Sequence, residues 1–206
     1  MTIRSLFPIE YAVPDTDGKR KNVKQTKSRI LLPSEYNALR KVMNDEERIF
    51  FDGLLLTGMR IVEYKLFLMH PEWYDSGFIH LPRIAIKKKK ATVKQRYVHL
   101  SSKGRTTIEY IHKVLKDSKV IRVTNQALTT KLKEKAKEAD VSTEGLNLKC
   151  FRKTYESWLV MSYSSKTYEI LMSQGHTSLT SIKHYLNLGF TPEDVSQMHE
   201  WVDNWQ

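Results

Sequence analysis

Between Gly77 and Leu100 the spacing of apolar side chains changes and then changes back, which limits the folds open to this chain. Gly77-Phe-Ile-His-Leu81, Ile84-Ala-Ile86 and Arg96-Tyr-Val-His-Leu100 are short, rich in β-branched or aromatic residues, and partly alternating. They predict strands of a small antiparallel sheet. On both sides of this stretch the apolar residues recur at helical spacing. The expectation is a mainly α chain with a small antiparallel β-sheet embedded in it, an α+β fold.

The helical segments have recognisable ends. Ser34 is a suitable N-cap for a helix over 35–43. A second helix is expected from Glu46 to Thr57, with Ile49, Phe50, Leu54 and Leu55 on one face and Gly58 breaking it. A third is expected from Arg60 to about Met69, with Val62, Leu66 and Met69 facing inward. Further helices are expected at about 104–117, 125–139, 147–162, 165–173, 178–187 and 192–205. Thr191 would cap the last of these, with Pro192 at its first position. Val195, Met198, Trp201 and Val202 share one face of that helix and Trp205 lies a turn beyond. The face is expected to pack either on the chain's own core or on a neighbouring subunit.

Residues 1–30 differ from the rest. They carry Pro8, Pro14, Asp15, Asp17, Gly18 and the run Lys19-Arg-Lys-Asn-Val-Lys24, and they read as an extended basic arm or linker ahead of one domain over 31–206. The N-terminus lacks the apolar core and cleavage site of a signal peptide. No apolar run approaches the roughly 18 residues of a membrane span. A cytoplasmic location with no membrane contact is the expectation.

Charge narrows the partner. The 206 residues include 34 Lys and Arg against 23 Asp and Glu, so the formal net charge is 34 − 23 = +11. A polyanion gains from such a surface, because each phosphate neutralised releases condensed counterions. The alternative is a solubilising surface charge with no specific partner. Cys150 is the only cysteine, which removes an intrachain disulfide and a cysteine-based zinc cluster.

Three cationic or phenolic settings stand out. Arg60 follows Thr57-Gly58-Met59 and opens a helix, so backbone N–H groups and a guanidinium converge as in an anion site. Arg152 lies in Lys149-Cys-Phe-Arg152, on a helix whose apolar stripe is Leu148, Phe151, Tyr155, Trp158 and Leu159. Lys149, Arg152, Lys153 and Glu156 fall largely on the other flank, and Lys149 and Arg152 can reach one phosphate together. Tyr185 lies nine residues after the Gly175-His176 pair. His176 at a turn can hydrogen-bond a phosphate oxygen; His184, beside the tyrosine, is a competing candidate. The bland alternatives are a surface arginine, a solvated basic face and a core tyrosine. The run Lys87-Lys-Lys-Lys90-Ala-Thr-Val-Lys94 is either a solvated hairpin tip or a segment that enters a DNA groove, where one lysine could act as general acid.

In this order and spacing the blocks resemble the tyrosine recombinase (phage-type integrase) family over roughly residues 34–190, and within it the archaeal-type integrases of mobile elements. Leu55-Leu-Thr-Gly-Met-Arg60-Ile-Val-Glu63 is similar to the first-arginine box. Lys90 and the following Lys94-Gln-Arg96-Tyr-Val-His-Leu100 are similar to the lysine hairpin, with Lys88 or Lys89 as alternatives to Lys90. Lys149-Cys-Phe-Arg152 stands where the family usually has His-x-x-Arg, and Gly175-His176 with Tyr185 resembles the terminal block. Because Lys149 is a cation in place of a histidine, phosphate contact is its expected role.

The resemblance implies the integrase catalytic-domain fold and site-specific recombination through a 3′-phosphotyrosine. Tyr185 would attack the scissile phosphate, Arg60, Arg152 and His176 would hold its non-bridging oxygens, Lys90 would protonate the leaving 5′-hydroxyl, and Lys149 would add positive charge. Lys87, Lys88, Lys89, Lys94, Arg96, Lys153 and Lys183 would contact double-stranded DNA. No metal and no other cofactor is implied, and a homotetramer on paired sites is the expected working assembly. The family usually carries an N-terminal DNA-binding domain, so the chain is expected to be either a minimal integrase or an excised catalytic domain. Type IB topoisomerase-like cleavage and resealing, a resolvase-like or telomere-forming enzyme, and a non-catalytic DNA-binding regulator remain as rival readings.

Overall fold

A computed structural model describes residues 22–23, 28–75, 77–86, 95–115, 118–176 and 189–205. Those residues are mainly helical, with a three-stranded antiparallel sheet and a two-stranded one. The N-terminal ladder pairs β1 (Asn22–Val23) with β2 (Arg29–Ile30). Ser28, Arg29 and Ile30, at the end of the expected arm, are buried. The Arg29 N–H donates to the Gly145 carbonyl at 3.0 Å, and its guanidinium bonds Glu35 and the Ser142 carbonyl. The packed body therefore includes the last residues of that segment.

Three helices follow. α1 (Pro33–Val42) begins one residue before the expected cap: Leu32 is the N-cap, Pro33 is the first helical residue, and Ser34 lies inside. Pro33 contributes no N–H where none is needed, and the Glu35 carboxylate accepts the Leu32 N–H at 2.9 Å. α2 (Asp45–Thr57) is capped by Asn44, whose side chain accepts from the Glu47 N–H at 2.9 Å. It ends at Gly58, in the left-handed conformation. α3 (Ile61–Met69) buries Glu63, Tyr64, Phe67 and Leu68, not the expected face. Val62 and Leu66 are only half-buried and Met69 is exposed. The helix is apolar nearly all round, so its periodicity does not say which face meets the core.

The three-stranded sheet has the order β3 (Tyr74–Asp75), β4 (Phe78–Leu81), β5 (Arg96–His99), and the register pairs Phe78 with His99, Ile79 with Val98, His80 with Tyr97 and Leu81 with Arg96. Ile84–Ile86 is not a strand; a 3-10 turn occupies Arg83–Ala85. Pro82 ahead of it lacks an N–H for a ladder. Ile79, Leu81 and Val98 face the core, and Phe78, His80, Tyr97 and His99 lie on the other face, as the two-residue period requires.

The remaining helices are α4 (Ser102–Leu115), α5 (Asn125–Glu138), α6 (Lys149–Ser162), α7 (Thr167–Ser173) and α8 (Pro192–Val202). α6 runs through the centre, with Phe151, Tyr155, Trp158 and Leu159 fully buried. Its Trp158 indole donates to the Leu31 carbonyl at 3.0 Å, while Thr154 Oγ1 accepts the Leu31 N–H at 3.0 Å. α8 starts as expected, at a Thr191 cap that accepts the Asp194 N–H at 3.2 Å, with Pro192 first. Its apolar face packs on α6 of the same chain. Met198, Trp201, Val202 and Trp205 are buried there, and the Trp205 indole donates to the His99 carbonyl at 3.1 Å. The expected helix over 178–187 lies outside the described residues. No helix among the described residues is long and apolar enough to cross a membrane.

Candidate functional site

Two glycine turns meet beside the first turn of α6. Gly58 has φ 57°, and a Cβ there would lie 2.6 Å from both Gln174 Oε1 and Tyr155 Cδ1. Only glycine permits both the backbone angle and the approach. The chain then leaves the turn through Met59 into Arg60, the N-cap of α3. Glu63, three residues on, reaches back to accept the Arg60 N–H at 3.0 Å and the Arg60 guanidinium at 2.6 Å. This is the carboxylate half of a capping box, and it fixes the Arg60 side chain at a helix start.

The second turn closes α7. Gly175 has φ 70°, its N–H donates to the Met172 carbonyl at 2.8 Å, and the His176 N–H donates to the Leu171 carbonyl at 2.9 Å. Those two bonds form a Schellman motif, which determines where His176 leaves the helix.

Arg152 joins the two turns. Its guanidinium donates to the Gly58 carbonyl at 3.1 Å and to the Gln174 carbonyl, and its Nε lies 3.1 Å from Glu156 Oε1. Glu156 Oε1 also lies 2.7 Å from His176 Nε2. A second contact sets that same Nε2 3.3 Å from the Arg152 guanidinium. One ring nitrogen cannot both donate to the carboxylate and accept from the guanidinium. The shorter contact to an acceptor-only carboxylate assigns the Nε2 proton to Glu156, leaving Arg152 and His176 side by side around a shared oxygen.

Arg96 completes the cluster from beneath. Expected to contact DNA, it is instead buried at 5% exposure. Its guanidinium lies 2.7 Å from Glu63 Oε2 and donates to the Gln174 carbonyl at 2.6 Å. Gly175 passes so close over it that a Cβ there would sit 3.0 Å from Arg96 Cδ. Position 96 lies on the core-facing side of β5, opposite Leu81, so the side chain points inward.

Two buried carboxylates thus support three guanidiniums and an imidazole. Burial works to raise the Glu63 carboxyl, but the charges of Arg96 and Arg60 and the Arg60 N–H outweigh it and hold the group below its ordinary value. Burial lowers Arg96 to about 10, so it stays charged at neutral pH. The Arg60 side chain is 41% exposed, His176 21% and Arg152 11%, so these three keep surface toward solvent while their inner atoms are pinned. Donors held in place before a ligand arrives need no reorganisation when negative charge develops next to them.

The other expected residues divide. Lys149 is exposed at the start of α6, one turn from Arg152. Lys153 is half-buried, and burial pushes its ammonium below its ordinary value. Tyr185, Lys87, Lys88, Lys89, Lys90, Lys94, Lys183 and His184 lie outside the described residues. Glu63, Glu156 and Gln174 were not singled out as site residues. The spacings Arg60–Glu63 and Arg152–Glu156 carried a signal for the two acids, since they suit a cap and an i,i+4 pair. Among the described residues no group of three or more His, Cys, Asp or Glu is placed to hold a metal ion.

Comparison of the chain with protein-family models, curated proteins and solved structures finds no match.

Proposed function

We propose that this protein is a site-specific DNA recombinase of the integrase type, which cleaves and rejoins strands through a 3′-phosphotyrosine. The observation that carries the reading is the meeting of Arg60, Arg152 and His176. They are far apart in sequence, yet Arg152 and His176 meet around Gln174 and Glu156, and Arg60 is tied to the same Gln174 carbonyl through Glu63 and Arg96. Such a cluster can bind a phosphodiester through its non-bridging oxygens and stabilise the charge that builds on them.

In the proposed reaction Tyr185 Oη forms a bond to phosphorus as the bond to the 5′-oxygen breaks. Lys90, or a neighbouring lysine of the same run, gives its proton to the leaving oxygen, and the phenol proton passes to solvent. The phosphodiester energy is kept in the protein–DNA bond, so attack by another strand's 5′-hydroxyl reverses the step. Arg60 and Arg152 hold the phosphate, His176 donates to it through its other ring nitrogen, Nδ1, and Lys149 at the rim adds charge. Loss of either arginine is expected to slow cleavage on the order of 10²-fold or more. The net charge of +11 suits a DNA partner, and a homotetramer on two duplexes is the proposed assembly.

The test is covalent trapping. A nicked duplex carrying a candidate attachment site is incubated with the protein and with Tyr185→Phe, then resolved on a denaturing gel. A protease-sensitive DNA adduct formed only when the tyrosine is present is the expected result. Adduct formation without strand exchange between two sites would replace recombination with topoisomerase-like resealing. DNA binding without any adduct would reduce the protein to a binding module.

A further inference from the structure

The outward face of the small sheet is built from rings. Phe78, His80, Tyr97 and His99 alternate with the core residues of β4 and β5 and all lie on the side away from the core. Tyr97 stacks on His80 with centroids 4.9 Å apart and planes at 16°, and Phe78 meets Tyr97 edge-on at 6.2 Å. These contacts hold Tyr97 in place while leaving it 46% exposed. Beside it, α7 presents Tyr168 at 64% exposure and Met172 at 47%. Between sheet and helix is a cavity of about 400 Å³, lined by Tyr97, His99, Tyr168, Met172, Trp205 and His176 among others. Its lining thus reaches from exposed aromatic rings to an imidazole of the cationic cluster.

We propose that this cavity is a subsite for an unpaired nucleobase of the DNA strand whose phosphate lies on Arg60, Arg152 and His176. The proposal rests on the recombinase reading for the position of the phosphate. Three features favour a base over an apolar peptide. Rings already held by their neighbours lose little freedom when a flat heterocycle stacks on them, and every base has a π-face to offer. The site is continuous with a group of phosphate-binding cations, so base and backbone of one nucleotide can be met together. The protein is also strongly cationic, complementary to a polyanionic strand. A duplex presents base edges, not base faces, so the subsite would be filled only when a base beside the cleaved bond leaves its stack.

The experiment compares two fluorescently labelled single strands of equal length, an oligothymidylate and a fully abasic strand with the same phosphates. Both are titrated against the full chain, Tyr97→Ala, Tyr168→Ala and Tyr97→Phe at fixed salt. Both tyrosines are exposed, so circular dichroism and urea midpoints of the variants should match the unmodified protein. Expected is a preference for oligothymidylate over the abasic strand of about tenfold. Tyr97→Ala and Tyr168→Ala should each erode it and Tyr97→Phe should restore it, with abasic binding unchanged throughout. Equal binding of the two strands, or a preference indifferent to both alanine variants, overturns the subsite. So does a change confined to self-association by sedimentation, which would make the surface a contact between copies. The covalent adduct assay reports separately. An adduct without a base preference removes the subsite alone, and a base preference without an adduct keeps the subsite and removes the recombinase reading.

Discussion

Arg96→Met removes one charge from a buried pair and keeps most of the side-chain volume. Arg96 and Glu63 side chains are 4% and 1% exposed and 2.7 Å apart. Breaking a buried pair from one side typically costs about 3–5 kcal/mol, because the remaining charge loses its compensation. Here the remaining groups keep partners. Glu63 retains the Arg60 guanidinium at 2.6 Å, and the Gln174 carbonyl retains Arg152. The low end of the range follows, about 3 kcal/mol. Urea unfolding followed by circular dichroism should show a midpoint about 1 M lower with the slope unchanged, for a slope of about 2–3 kcal/mol per M. Combining Arg96→Met with Glu63→Gln should cost clearly less than the sum of the singles, with a coupling of about 1.5 kcal/mol or more. A loss below about 1 kcal/mol, or additive singles, would mean that the pair does not organise the cluster.

Three further outcomes are expected. Stability should fall on acidification below the ordinary Glu63 value of 4.5, since a carboxyl held low in the fold stabilises above that pH and loses its contribution as pH drops through the folded value; Glu63→Gln should flatten this part of a urea-midpoint series. Gly175→Ala should destabilise by about 1–3 kcal/mol in thermal unfolding, because φ is 70° and the added Cβ would press on Arg96 at 3.0 Å; a change within error would contradict the tight turn. Trp205→Ala should cost about 3–5 kcal/mol in the same assay, given its burial at 3% exposure and its bond to His99; an unchanged midpoint would show that α8 is not anchored on its own chain.

Local chemistry was legible in the sequence at several element ends, though not at α1, where Leu32 caps the helix and the expected cap Ser34 lies inside it. Gly58 ends α2, Thr191 and Pro192 start α8, and the apolar stripe of α6 faces the core, all as spacing and capping predict. Two kinds of feature were not legible. The inward face of α3 was misjudged because a helix that is apolar all round has no preferred side until neighbours pack on it. Ile84–Ile86 has strand-forming side chains but follows Pro82 and turns instead.

The same division runs through the site. The amino-acid sequence alone determined which residues carry charge and at what spacing along each helix, because those are properties of a few neighbouring positions. The arginines at 60 and 152, the Gly-His pair at 175–176 and the net charge of +11 are all of this kind. Only the tertiary structure decided that Arg96 turns inward, that one Gln174 carbonyl serves both Arg96 and Arg152, and that Glu156 lies between Arg152 and His176. Apart from Arg152–Glu156, an i,i+4 pair within α6, each of those contacts joins segments distant in the chain. A buried charge is tolerated only where such a partner arrives to meet it, and no local pattern records the meeting.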